Sequence, residues 1–226
     1  MKRIALIIIT CAMLMSLPAF ASQGSQDVIY SWNCNEKVIA LTFDDGPHPK
    51  RTKEILDILD EYGIKATFFF IGQNVRDYPD SVPLVQAAGH EIGNHTFSHR
   101  NLQTLDYSSL CAEIDDTEAA VEEMIGYRTK LLRPPEGKFT DDVLRAAEER
   151  GYSVICWSVD TLDWAHNPSE NIAANILSSV EAGDIILFHD FVSGESPTPA
   201  ALRMIIPPLL EQGYRFVTVS ELISGD

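Results

Sequence analysis

From residue 38 onward, short runs of consecutive apolar residues alternate with longer stretches in which apolar positions recur every three or four residues. The first pattern suits strands buried on both faces and the second suits helices laid against them. Their alternation reads as repeated βα units around a parallel sheet. The spacing predicts strands over 38–43, 66–71, 91–94, 130–133, 153–158, 184–188 and 216–219, and helices over 50–62, 109–125, 140–150, 168–180 and 197–212. In the first helix Ile55, Leu56, Ile58 and Leu59 share one stripe with charges opposite, and Gly63 supplies a stop. Gly151 and Gly183 are expected to stop later helices, and Thr140, followed by Asp141 and Asp142, is a candidate N-cap. A loop is expected over 191–199, where Gly194 and two prolines interrupt the pattern. Seven strands with helices between them suit either a barrel or an open doubly wound sheet. Both architectures gather chemistry at the carboxyl ends of the strands.

The N-terminus follows another rule. Lys2 and Arg3 precede an apolar run over residues 4–17, and Ala19-Phe20-Ala21 offers the small-x-small site of a signal peptidase. The expected plan is a signal peptide over 1–21 and one domain over 22–226, beginning at Ser22. The 14 residues of the run fall short of the roughly 20 that cross a bilayer, so export with cleavage is expected, and an N-terminal anchor only if cleavage fails. Cys11 lies inside the run, away from any small-residue box, and does not look like a site of lipid attachment.

Composition then narrows the partners. The signal holds two of the 17 basic residues and none of the 33 acidic ones, which leaves the exported chain at −18 with histidine neutral. Such a charge disfavours nucleic acid and anionic membrane surfaces, both of which demand clustered Lys and Arg. No feature marks an obligate protein partner. Cys34, Cys111 and Cys156 survive cleavage, permit one disulfide at most, and have no CxxC spacing that would suggest a thiolate zinc site.

Polar residues fall where the βα pattern places chemistry. Asp44-Asp45-Gly46 follows the first strand, and adjacent carboxylates there are costly unless a cation answers them. Asp-Gly-Pro is also simply a good turn. His95 and His99, after the third strand, have a spacing that can put two imidazoles on one side of a helical turn and suits zinc. Pro134 and Pro135 hold Arg133 extended after the fourth strand, a stiff way to present a guanidinium. The fifth strand delivers Asp160-Thr161-Leu162-Asp163-Trp164 and the sixth Leu187-Phe188-His189. Each has a bland counterpart in a turn, a surface histidine or a core histidine. All five at successive strand ends form the inventory of a metal hydrolase: ligands, a base, a cation to orient it, and an acid.

These five motifs resemble, in order and over nearly the whole exported chain, those of the polysaccharide deacetylase family, the carbohydrate esterases with a NodB homology domain. The resemblance implies a distorted (β/α)7 barrel. It implies Asp45, His95 and His99 as ligands of a divalent metal, most simply zinc, with cobalt, nickel and manganese also suited to such a set. It further implies Asp44 as general base, Arg133 pairing with it, and a main-chain N–H beyond Arg133 as an oxyanion donor. His189 becomes the acid for the leaving amine, with Asp163 fixing its tautomer. Trp164 and Leu187 would wall the acetyl methyl, and Pro135 and Glu136 would border the sugar groove. Glu136 stands where many members carry an aromatic residue, which alters the charge and shape of the groove wall.

The implied substrate is a polysaccharide or oligosaccharide bearing N-acetylglucosamine units, reached outside the cytoplasm. O-deacetylation of acetylxylan-type esters and non-catalytic binding of wall glycan are the competing functions. No Gly-x-Ser-x-Gly elbow surrounds any serine, which argues against a covalent acyl-enzyme.

Overall fold

The structure is a computed structural model and describes residues 27–225. The expected signal peptide, with Cys11, lies outside the described residues. Among the described residues there are eight strands: β1 (Val38–Asp44), β2 (Thr67–Phe70), β3 (Glu91–Asn94), β4 (Leu131–Leu132), β5 (Ser153–Val154), β6 (Val159–Asp160), β7 (Ile185–His189) and β8 (Arg215–Phe216). Seven of them form a curled parallel sheet in the order β5-β4-β3-β2-β1-β7-β6, and β8 pairs with the first residues of β1. The helices are α1 (Arg51–Glu61), α2 (Gly72–Asp77), α3 (Ser81–Ala87), α4 (Tyr107–Ile125), α5 (Asp141–Arg150), α6 (Ser169–Ser179), α7 (Thr198–Glu211) and α8 (Val219–Ser224). This is the distorted barrel expected from the motifs, open between β5 and β6.

Alternation along the central strands sets the layout. Ile39, Leu41 and Phe43 of β1, Phe68 and Phe70 of β2, and Ile186 and Phe188 of β7 point outward into one core with α1, α6 and α7. There Phe43 stacks on Phe68 and Phe188, with ring centroids 4.9 and 5.9 Å apart. Val38, Ala40, Phe69 and Ile185 point the other way, into the barrel, and pack with Val219 and Leu222 of α8. Because side chains alternate with period two, Thr42 and Asp44 on β1, and Leu187 and His189 on β7, share that interior face and emerge at the barrel mouth.

The opening is spanned by the chain before β1. Ile29 forms a parallel bridge to Ile155 and Ser31 an antiparallel bridge to Asp184. Trp32 N–H donates to Gly183 O at 2.9 Å.

Several expectations are corrected. The strand expected over 153–158 breaks after Val154, because residues 155 and 156 pair with residue 29 and lend carbonyls to Arg133; β6 then begins at Val159 against β7. The strand expected over 216–219 ends at Phe216, since Thr218 and Glu221 form a capping box that starts α8. Gly183 does not stop α6, which ends at Val180 in an extended conformation. Its φ of +88° instead lets the turn pass the Trp32 carbonyl, which a Cβ would strike. Thr140 occupies the N-cap of α5, but its hydroxyl makes no capping bond. Helices α2, α3 and α8 were not legible from periodicity; each has seven residues or fewer, too short to show a repeat.

Candidate active site

Asp44 ends β1 with 2% of its surface exposed, and its Oδ1 accepts from Arg133 Nη1 at 2.7 Å. Arg133 has no exposed surface. Its Nη1 also donates to Thr42 Oγ1 (2.8 Å), its Nη2 to Cys156 O (2.9 Å) and its Nε to Ile155 O (3.4 Å). The guanidinium lies over Phe69, 4.1 Å from the ring centroid. A buried ion pair persists only when hydrogen bonds satisfy its remaining donors, and here Thr42 and two carbonyls do so.

Beyond Asp44 the chain turns sharply, with Asp45 at φ +74°. Asp45 Oδ1 lies 3.4 Å from His95 Nε2 and 3.3 Å from His99 Nε2. Segment 95–99 is a loop and not a helical turn: Thr96 and His99 take φ of +64° and +52°. Glu113 of α4 holds it, accepting from Phe97 N–H (3.0 Å), Ser98 N–H (2.8 Å) and the Ser98 hydroxyl (2.6 Å). Asn94 Oδ1 accepts from Thr96 N–H.

His95 Nδ1 lies 2.8 Å from the Arg133 carbonyl. A carbonyl can only accept, so Nδ1 carries the proton and Nε2 presents its lone pair toward Asp45. Burial would lower the pKa of His95, but the carboxylates of Asp44 and Asp45 outweigh it and raise it. Burial acts oppositely on Asp45, where the attraction of His95, His189 and His99 outweighs it and the pKa falls. At His99 burial and the charge of His95 dominate, and the pKa falls.

These residues fit a divalent cation. One ligand atom from each of Asp45, His95 and His99 lies within 4.8 Å of the others, and Asp45 Oδ1 is buried without a hydrogen-bond partner. Two imidazoles and one carboxylate, with space left for water and substrate, are the donors of a catalytic site.

The opposite wall carries the second pair. His189 ends β7, and its Nδ1 lies 2.7 Å from Oδ1 of Asp163, which has no exposed surface. Asp163 Oδ2 accepts from His189 N–H (2.8 Å) and Thr198 Oγ1 (2.6 Å). Burial would lower the pKa of His189, but the Asp163 hydrogen bond and charge push it up to about 9. Asp190 follows, 1% exposed, accepting from Thr52 Oγ1 at 2.5 Å, and burial pushes its pKa up to about 7. The carboxylate of Asp190 occupies the space where a Cβ on Gly46 would stand.

One cleft of about 460 Å³ unites Asp44, Asp45, His95, His99, Glu136, Trp164, Leu187 and His189. Arg133 and Asp163 stand behind Asp44 and His189 and do not line it. Pro135 is buried within the turn over 135–137. Lys138, Trp157 and Asp160 line the cleft in addition, and Lys138 is ion-paired with Glu136. No sequence signal marked Trp157, which sits inside an apolar run whose strand breaks before it. Glu113 and Thr198 were equally hidden, because their role is a contact made only in the folded chain.

A parallel βα barrel whose mouth joins a group able to hold a metal ion to a carboxylate–arginine pair and a histidine–carboxylate pair has the make-up of a metal-dependent hydrolase. The family model for polysaccharide deacetylases matches residues 33–155, and the chain belongs to that family. It is 44% identical over 191 residues to a peptidoglycan-N-acetylglucosamine deacetylase of Bacillus cereus, covering 84% of this chain and 89% of that protein. The Bc1960 peptidoglycan N-acetylglucosamine deacetylase superposes with a TM-score of 0.85 at 37% identity, over 87% of this chain and 92% of that one. A family 4 acetyl xylan esterase from Clostridium thermocellum, in complex with cobalt, superposes at 0.77 with 36% identity, over 83% and 91% of the two chains.

Proposed function

We propose that this deacetylase removes N-acetyl groups from N-acetylglucosamine units of peptidoglycan, outside the cytoplasm, after cleavage of a signal peptide over residues 1–21 that leaves a catalytic domain over 22–226. The observation that carries the reading is the placement of Asp44 and His189 in one cleft beside the ligand set, each held by its own buried partner.

Asp45, His95 and His99 would hold the cation, with zinc the simplest occupant. When bound, it would supply Lewis-acid polarisation of the acetyl carbonyl and acidify water for attack. Asp44 takes the proton of the attacking water, with Arg133 fixing the orientation of its carboxylate. Pro134 and Pro135 lack N–H groups, so the first main-chain donor beyond Arg133 is that of Glu136, and it is assigned to the developing oxyanion. His189 delivers its proton to the departing nitrogen, since an amine leaves poorly until protonated, and Asp163 keeps Nδ1 occupied so that Nε2 does the work. Trp164 and Leu187 flank the methyl group.

Charge supports the sugar chosen. The one basic residue other than histidine lining the cleft among the described residues, Lys138, is engaged by Glu136, and Asp160 adds further negative charge. A neutral N-acetylglucosamine meets no penalty there, whereas a muramic-acid carboxylate would find no free cation. Kinship to an acetyl xylan esterase keeps ester cleavage as an outcome of the test, and the intact base and acid pairs favour catalysis over glycan binding alone.

The test is acetate release from N-acetylglucosamine oligomers and from peptidoglycan, before chelation, after it, and after zinc is restored. Activity that disappears and returns is expected. Acetate release indifferent to chelation would overturn the ligand assignment, and release from acetylxylan alone would overturn the substrate.

A further inference from the structure

Arg133 is held from both sides. Two of its four acceptors, Thr42 Oγ1 and Asp44 Oδ1, belong to β1, at the centre of the sheet. The other two, the carbonyls of Ile155 and Cys156, belong to the segment just beyond β5, where the sheet ends. On its inner side that segment is fixed by Ile155 N–H donating to Leu132 O at 2.9 Å. On its outer side the sheet has no further strand among the described residues.

A strap, residues 28–32, takes that place. Ile29 N–H donates to Val154 O at 2.9 Å, and Cys156 N–H donates to Ile29 O at 2.7 Å. Bonds from one residue to positions on either side of its partner are the repeat of a parallel ladder, so the strap continues the sheet by a single residue. The side chains of Val28 and Ile29 anchor it in two separate apolar clusters, and Trp32 N–H ties its far end to Gly183. The strap precedes the residues matched by the family model, which begin at 33.

We propose that Ile29 is a positioning residue for the reaction: its main chain clamps 154–156, whose carbonyls orient Arg133, which in turn aims Asp44. Without the clamp, Val154 O and Cys156 N–H face water on a free edge, and the two carbonyls that hold the guanidinium are supported from the inner side alone. Misplacement of a catalytic group by an ångström costs on the order of a hundredfold in rate, so a clamp this far from the cleft reaches the chemistry. The proposal rests on Asp44 being the base.

Ile29→Pro deletes the N–H donated to Val154 and tests it in the whole chain. Expected are a fall in kcat on the order of tenfold or more with KM held, and faster solvent exchange of the Arg133 Nε–H by NMR, which needs neither metal nor substrate. Combined with Arg133→Lys, the Ile29→Pro loss should largely vanish, because both act through one guanidinium. Additive losses, or a lowered melting temperature with Arg133 exchange and kcat unchanged, would mean a merely structural strap and overturn the proposal. Should the proline variant fail to fold, amide exchange in the unaltered protein decides. Ile29 and Cys156 N–H must be protected to the same degree as Arg133 Nε–H, and fast exchange at the first two beside a protected arginine sinks the clamp. If Asp44→Asn leaves kcat intact, the assignment of the base fails while the exchange result still judges the clamp.

Discussion

His189 Nδ1 and Asp163 Oδ1 stand 2.7 Å apart, with the carboxylate wholly buried and the imidazole edge facing the cleft. A proton on His189 is therefore stabilised from behind while its Nε2 side remains open to a leaving group.

This relationship fixes the direction of the pH dependence. The pKa of His189 rises from 6.5 to about 9, so the acid form prevails below about 9 and activity falls as pH rises through that value. Asp163→Asn should shift the alkaline limb of kcat/KM down by roughly one to two pH units. The linkage has the same sign: a group with a raised folded pKa contributes fully below its unfolded value near 6.5 and loses its contribution as pH climbs to about 9. Melting curves of metal-free protein should show stability declining across that window in the parent and a flatter profile in Asp163→Asn. A parent profile that rises with pH would contradict the arrangement.

The adjacent carboxylates should separate by role. Asp44→Asn is expected to lower kcat by about 10²- to 10⁴-fold while zinc is retained in stoichiometric amount. Asp45→Ala should lose the metal together with the activity, and calorimetric zinc titration of both variants distinguishes them. Equal zinc affinity in the two would remove Asp45 from the ligand set.

Much of this site was legible because it lies at strand ends. Asp44, Arg133 and His189 each follow an apolar run, and period-two alternation carries Asp44 and His189 inside the barrel with no further information. The support was not legible. Glu113 reaches the 95–99 loop from the middle of α4, Thr198 reaches Asp163 from the start of α7, and the carbonyls of Ile155 and Cys156 act through main chain that every residue possesses. The 95–99 loop misled for a related reason. A His-x3-His spacing suits a helix, but Thr96 and His99, which are non-glycine residues, take left-handed conformations, and Glu113 of α4 holds the segment between them.

Gly46→Ala should be disproportionately damaging for a change of one methyl group. The added Cβ overlaps the Asp190 carboxylate, which is buried and tied to Thr52, so the turn carrying Asp45 must move. Zinc affinity is expected to fall by about tenfold or more, in the range seen when the support of a ligand is disturbed. An unchanged dissociation constant would show that the turn yields without moving Asp45.

Substrate choice should respond to the cleft rim. Glu136 is exposed, pairs with Lys138 and lies outside the buried network, so Glu136→Arg is expected to leave stability within about 0.5 kcal/mol of the parent. The reversal of charge should improve kcat/KM on N-acetylmuramic acid units relative to N-acetylglucosamine units by several-fold. Acetate release from the two glycans, compared in one preparation, measures it.

The strap also sets an order of events for a chain threaded N-terminus first. Ile29 is made 126 positions before Ile155, so the strap waits for most of the sheet before it finds its place. A contact of such long range adds to the slowest class of folding steps. A chain still being made therefore has an unclosed barrel edge and an unbraced Arg133 until the segment that the strap joins has been added.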